Sequence, residues 1–172
     1  IIGESEANAA ALFGTALTLY STEGSSLALR TMLALALSRA ERTPGERPLL
    51  LAARNAHKSL LYAAALLDFD IAWIYPEDTA LDSVCSCHPS PDSVCAALRA
   101  LPRPPFAVFL TSPDYLGFLA DIQGIVRAVD AHCGKGAVPV LTLLSATLHS
   151  FCRWPPLSAT GSLSRQWRCG LR

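Results

Sequence analysis

Ala16-Leu17-Thr18-Leu19-Tyr20-Ser21-Thr22-Glu23-Gly24-Ser25-Ser26, followed at once by the helix-patterned residues 27–40, is the stretch on which the reading of this chain turns. An apolar run of strand composition ends in a glycine and two hydroxyls, and a helix begins there. Such a turn aims backbone N–H groups, two side-chain donors and the positive end of a helix dipole at one point, which is how proteins hold anions, phosphate above all. The same residues also make an ordinary helix N-cap, since a serine beside a glycine satisfies the first N–H groups of a helix with no ligand at all. Local pattern leaves both readings open.

Outward from this turn the chain keeps a steady rhythm. The spacing of apolar residues predicts helices over 4–13, 27–39, 56–67, 92–101 and 121–132, and short strands over 16–20, 48–53, 71–75, 107–111 and 137–141. Thr43-Pro44-Gly45-Glu46 is a turn by composition, and residues 76–91 form a longer loop. Short strands alternating with helices of ten or more residues give βαβ units, so the expected fold is α/β: three αβα layers around a mostly parallel sheet. Ligands of such sheets collect at the carboxyl ends of the strands. Chemistry is therefore expected in residues 21–26, 54–59 and 111–115.

Composition narrows the possibilities. At 172 residues and 51% hydrophobic, the chain is long and apolar enough to build one real core. Its formal charge is zero, so it has no basic field for nucleic acid or an anionic membrane. No apolar run reaches the roughly 18 residues of a membrane span, and the N-terminus lacks the basic-then-apolar order of a signal peptide. The six cysteines, Cys85, Cys87, Cys95, Cys133, Cys152 and Cys169, are irregularly spaced in a chain whose size needs no staples, which favours reduced thiols in a cytoplasm. Cys85-Ser86-Cys87-His88 with Cys95 has the right ligand types for zinc but neither a CxxC pair nor a second matched pair, so no metal is expected. Glu77, Asp78 and Asp82 read as solvated loop carboxylates.

Three polar segments sit where ligands collect. Ser21 to Ser26 offers the anion cradle. Arg54-Asn55-Ala56-His57-Lys58-Ser59 places an imidazole at a helix start, where it can lie flat on an aromatic ligand, donate a proton or simply bond a nearby carbonyl. Thr111-Ser112-Pro113-Asp114-Tyr115-Leu116-Gly117 brings hydroxyls, a carboxylate and a phenol into a tight turn, and Ser-Pro-Asp is equally a common turn and cap sequence.

Taken together and in this order, these segments resemble the pyridoxal-phosphate-dependent ornithine/lysine/arginine decarboxylases of fold type I. Residues 4–14 look like the family's helix leading into the cofactor domain, Ser21-Thr22-Glu23-Gly24-Ser25-Ser26 matches its phosphate turn, and Arg54-Asn55-Ala56-His57-Lys58-Ser59 matches its Arg-Asn-x-His-Lys-Ser signature. The resemblance covers residues 4–141, so residues 1–141 read as part of a pyridoxal-phosphate-binding major domain. It implies that Gly24, Ser25 and Ser26 hold the cofactor phosphate, that His57 stacks on the pyridine ring, and that Ser112 lies beside the cofactor. It also implies a lysine, arginine or ornithine substrate and a homo-oligomeric parent.

Departures from the family are as informative. The family's Schiff-base lysine follows a Ser/Thr-x-His motif, and this chain has only Lys58 and Lys135, neither in that setting. The family also places an aspartate against the pyridine nitrogen after the strand that Val138-Pro139-Val140-Leu141 resembles, whereas here the chain reads Thr142-Leu143-Leu144-Ser145-Ala146-Thr147-Leu148-His149. No acidic residue occurs after Asp130, while Arg153, Arg165, Arg168 and Arg172 crowd the end, so 142–172 reads as a divergent basic tail, whether disordered or translated out of frame. The lack of an initial methionine suggests residues missing upstream. The expectation is a fragment of a decarboxylase, inactive alone, with a non-catalytic module that binds a phosphate ligand or a partner subunit as the alternative.

Overall fold

The computed structural model describes residues 1–40, 44–75, 87–143 and 150–153. Among them five helices and five strands follow one another as α1 (Ile2–Phe13), α2 (Ser25–Leu37), β1 (Leu49–Ala53), α3 (Ser59–Leu67), β2 (Asp70–Ile74), α4 (Pro91–Ala100), β3 (Ala107–Thr111), α5 (Ile122–Cys133), β4 (Val140–Leu143) and β5 (Ser150–Arg153). The strands form one sheet in the order β2-β1-β3-β4-β5, parallel from β2 to β4, with β5 antiparallel against β4.

Side-chain alternation builds the layers. Leu50 and Ala52 of β1 and Ala107 and Phe109 of β3 face a cluster with Leu29, Leu33 and Leu37 of α2 and Leu60 and Ala63 of α3. Their neighbours Leu51, Ala53, Val108 and Leu110 face the other way, onto Val94 and Leu98 of α4 and Ile125 and Val129 of α5. Every residue of β1 and β3 is buried. A strand covered on both faces needs no polar alternation, which is why 49–53 and 107–111 read as continuous apolar runs. The expected three-layer α/β fold is thus present.

Two expectations change. Residues 16–20 are not a strand: Leu17, Leu19 and Tyr20 are exposed, and the segment turns back on α1, where the Tyr20 N–H donates to Glu6 Oε1 at 2.9 Å and the Thr15 and Thr18 hydroxyls meet at 2.8 Å. A strand exists only through a neighbour's backbone, and among the described residues none pairs with this one. In the opposite direction, β5 forms inside residues that show no clear period, because its pattern is set by pairing with β4. The expected turn at 43–46 is present at Pro44 and Gly45, while its Thr43, the loop carboxylates Glu77, Asp78 and Asp82, Cys85, and most of the expected tail (144–149 and 154–172) lie outside the described residues.

Chain direction places the site. Each of α2, α3, α4 and α5 leads into a parallel strand, so its N-terminus stands at the carboxyl edge of the sheet. β1 connects to β2 on one side, and the chain then crosses to β3 on the other. The crevice between β1 and β3 is therefore the topological switch point, where ligands of open α/β sheets bind.

Candidate cofactor site

The turn before α2 stands at this edge with its polar groups unspent. Gly24 occupies the N-cap position at φ 64° and ψ −147°, a backbone region that side chains resist, and no side chain caps the helix. Ser25 and Ser26 are the first two residues of the helix rather than its cap, so the N-cap alternative fails. The Gly24 N–H donates to Ser21 O at 3.4 Å, closing a turn, and Arg30 anchors its outer side through Glu23 and through Ser26 O. Inside the turn, the Ser21 hydroxyl is buried without a partner. A helix N-terminus with a glycine, two serines and an idle hydroxyl accepts an anion with little rearrangement.

His57 lies one element away, in the turn after β1 and ahead of α3, which begins at Ser59 rather than at residue 56. The Ser59 N–H donates to His57 Nδ1 at 3.2 Å, and the Ser59 hydroxyl lies 2.8 Å from the same nitrogen. With Nδ1 accepting from the backbone, a neutral ring carries its proton on Nε2. The ring is half-buried and held at one edge, leaving its other nitrogen and its faces for other contacts. Lys58 is exposed, and the Arg54 guanidinium lies 5.1 Å over the Trp73 ring. Neither cation is aimed at the crevice by a contact of its own.

The turn after β3 is built in the opposite manner. Ser112 is buried, and its hydroxyl accepts from the Ala120 N–H at 3.0 Å; its own proton stays available for a ligand. Asp114, also buried, accepts from the Leu116 and Phe118 N–H groups through Oδ1, both at 2.9 Å. Its Oδ2 lies 3.5 Å from His88 Nε2, and His88 stacks on Phe118 with 4.0 Å between ring centres. The turn reading of Ser-Pro-Asp therefore holds for Asp114, whose carboxylate closes the loop on itself.

Sequence reasoning named Asn55 and Thr111 within the ligand-side segments and weighed Cys87 for zinc, but gave none of the three a role of its own. Asn55 donates from Nδ2 to Cys87 O at 3.0 Å while its Oδ1 has no partner, and the Thr111 hydroxyl is likewise buried and unpartnered. Cys87 is buried against Ile74 O, and burial pushes its thiol up, more than the Arg54 and Asn55 backbone groups and the Arg54 charge pull it down. It is a packed thiol. Among the described residues no His/Cys/Asp/Glu group could hold a metal. The general tendency of cysteine to be buried was the one available signal for this cluster.

The α/β sheet with its switch point between β1 and β3 is the fold of several solved structures, pyridoxal-phosphate enzymes of fold type I among them. A glutamate decarboxylase of Lactobacillus brevis superposes over 83% of this chain and 33% of its own, with TM-score 0.57 and 14% identity. A serine palmitoyltransferase carrying pyridoxal phosphate matches over 81% of this chain and 29% of its own, with TM-score 0.52 and 17% identity. The family described as Orn/Lys/Arg decarboxylase, major domain, matches residues 1–140, and the chain belongs to that family. An arginine decarboxylase of Halalkalibacterium halodurans is 31% identical over 160 residues, covering 92% of this chain and 30% of that enzyme. The chain thus spans about a third of the length of the relatives it matches.

The residues at the carboxyl edge fit the phosphate end of pyridoxal phosphate: an uncapped helix N-terminus, a glycine in a conformation that brings backbone close to a ligand, and an orphaned hydroxyl are what a phosphate dianion needs. The stretch in which the resemblance places a ring-nitrogen aspartate, 142–149, holds no carboxylate in sequence; 142–143 end β4, and 144–149 lie outside the described residues.

Proposed function

We propose that this chain is the cofactor-binding portion of a pyridoxal-phosphate-dependent decarboxylase of a basic amino acid (lysine, arginine or ornithine), and that it does not turn over by itself. Gly24, Ser25 and Ser26 hold the phosphate, His57 lies against the ring, and Ser112 donates its free proton at the cofactor's side. The observation that carries this reading is the N-terminus of α2, where Gly24 holds the cap position and neither serine caps the helix. Bound pyridoxal phosphate supplies an electron sink for the pair left behind when the α-carboxylate departs. This chain's share is to seat and orient that group: N–H donors fix the phosphate, and the imidazole, held by Ser59, presents a flat surface.

Turnover requires a lysine to carry the cofactor covalently and a carboxylate to keep the ring nitrogen charged. Lys58 is exposed at a helix start, and residues 142–149 supply no acid, which supports inactivity of this chain alone. Three reduced thiols among the described cysteines support a cytoplasmic setting. The exposed apolar side chains Ile2, Leu12, Leu17 and Leu19, on α1 and the segment after it, support association with another copy in the parent enzyme.

The test is a titration of the purified chain with pyridoxal phosphate, followed by absorbance, then borohydride treatment and mass analysis. The expected result is saturable, noncovalent binding with no decarboxylation and no cofactor fixed to protein. A cofactor fixed to Lys58 would overturn its exclusion, and failure to bind at all would favour a non-catalytic module of the same fold.

A further inference from the structure

Cys87 and His88 cross the carboxyl edge of the sheet, and three contacts fix their course. The Cys87 thiol donates to Ile74 O at the end of β2 at 3.2 Å, the Asn55 amide after β1 donates to Cys87 O at 3.0 Å, and His88 Nε2 lies 3.5 Å from Asp114 Oδ2 after β3. His88 therefore stands at the switch point, between the β1 and β3 turns. The carboxylate behind it is unfinished: Oδ1 takes two loop N–H groups, while Oδ2 is buried with no hydrogen-bond partner, and 3.5 Å is too long for the imidazole to satisfy it. Among the described residues no lysine or arginine pairs with Asp114, and the nearby Arg54 guanidinium lies over Trp73. The Asp114 side chain is 1% exposed and that of His88 40%, so a ligand meets the imidazole, and the carboxylate acts through it. A carboxylate only accepts, which turns the Nε2–H of a neutral His88 toward Asp114 and leaves Nδ1 as the free acceptor.

We propose that His88, with Asp114 as its positioning residue, binds the cationic head of an aliphatic amine or guanidine. The inference rests on the proposed function only in taking that cation for the side chain of a basic amino acid. A free acceptor backed by a buried carboxylate with no cation of its own favours an N–H donor that carries positive charge. The same loop supplies a surface for an apolar stem: Phe118 stacks on the imidazole with 4.0 Å between ring centres, and Leu116, Phe118 and Leu119 are exposed. Long cationic groups lay their methylenes on such surfaces and keep the head at a polar partner. The polarity is opposite to that of the turn before α2, where helix N–H groups are ready to donate to an anion.

The experiment titrates the full chain by calorimetry with butylguanidine, pentylamine and, as a neutral control of similar shape, pentanol. Wild type is compared with His88→Ala, His88→Gln and Asp114→Asn, and pyridoxal phosphate is titrated in parallel. Wild type should bind both cations saturably and about tenfold more tightly than pentanol. His88→Ala and Asp114→Asn should each weaken the cations about tenfold, the scale of one hydrogen bond to a charged group, with pentanol unchanged. His88→Gln keeps an acceptor and should retain most of the affinity. A pair that only orders the loop would move all three probes together, so equal losses for the cations and pentanol overturn the inference. Wild-type cation affinity in His88→Ala overturns it as well. A chain that takes pyridoxal phosphate but neither cation overturns this inference and leaves the cofactor reading intact, whereas one that takes the cations but no pyridoxal phosphate keeps this site and overturns the cofactor reading.

Discussion

The turn before α2 and the turn after β3 share one sheet edge and similar residues, yet they spend their polar groups in opposite ways. Around Asp114 the loop bonds itself: one carboxylate oxygen takes two N–H groups, the Ser112 oxygen takes a third from Ala120, and Asp121 caps α5 on the Gly124 N–H at 2.8 Å. Around Gly24 the helix has no side-chain cap, and a buried serine hydroxyl has no partner. Both turns looked alike in sequence, as a hydroxyl or carboxylate near a glycine. Hydrogen-bond accounting separates them in degree: both keep a buried atom without a hydrogen-bond partner, Ser21 Oγ in one and Thr111 Oγ1 and Asp114 Oδ2 in the other, but only the β3 turn closes its loop through side chains.

The self-bonded turn should be the costlier one to disturb. Asp114→Ala strands two loop N–H groups and is expected to cost about 2–3 kcal/mol of unfolding free energy, while Asp114→Asn, which keeps an acceptor at Oδ1, should recover most of it. Denaturant midpoints at constant slope measure both. Equal losses in the two variants would mean that the carboxylate's charge toward His88, not its backbone bonds, holds the loop.

Next in size is Gly124→Ala. A Cβ there would fall 2.8 Å from Asp121 Cγ and 2.9 Å from Pro91 Cγ, so it would evict the α5 cap and press on the first turn of α4. About 2 kcal/mol follows from a lost cap plus overpacking. A second substitution, Asp121→Ala, makes room for the methyl; the double variant should be less destabilised than the sum of the singles, and simple additivity would show that Pro91 alone sets the cost. Gly24→Ala should come third. Nothing lies within 4 Å of the position a Cβ would take, so the expected loss of about 1 kcal/mol comes from the backbone conformation alone. Loss of pyridoxal phosphate binding should accompany it.

Much of this architecture was legible beforehand for a physical reason. The strands at 49–53 and 107–111 are covered on both faces, and their apolar runs admit no other reading. Residues 16–20 have nearly the same composition but no partner strand, and composition cannot report a missing neighbour. β5 shows the converse, since pairing with β4 imposes order on a stretch with no pattern of its own. The site divides in the same way. Gly24, Ser25, Ser26 and His57 were visible because local spacing and family likeness carry them. Asn55, Cys87, His88 and Thr111 come to prominence through contacts, or missing contacts, across strands far apart in the chain, as in Asn55 donating to Cys87 O.

The smallest effect on stability belongs to the two serines, and it is the sharpest test of the contrast. Neither Ser25 nor Ser26 caps α2, and alanine is the better helix former, so the double variant Ser25→Ala, Ser26→Ala should unfold within about 0.5 kcal/mol of wild type or slightly above it. The comparison helix is α4, where Ser90 accepts from the Ser93 N–H at 3.1 Å and the Ser93 hydroxyl returns a bond to the Ser90 N–H at 2.9 Å. Ser90→Ala should cost about 1 kcal/mol, as a capping serine does. If the α2 serines cost as much as Ser90, they serve the helix after all, and the turn loses its claim to a ligand. A silent double substitution that abolishes phosphate binding would leave the anion as the only use these hydroxyls have.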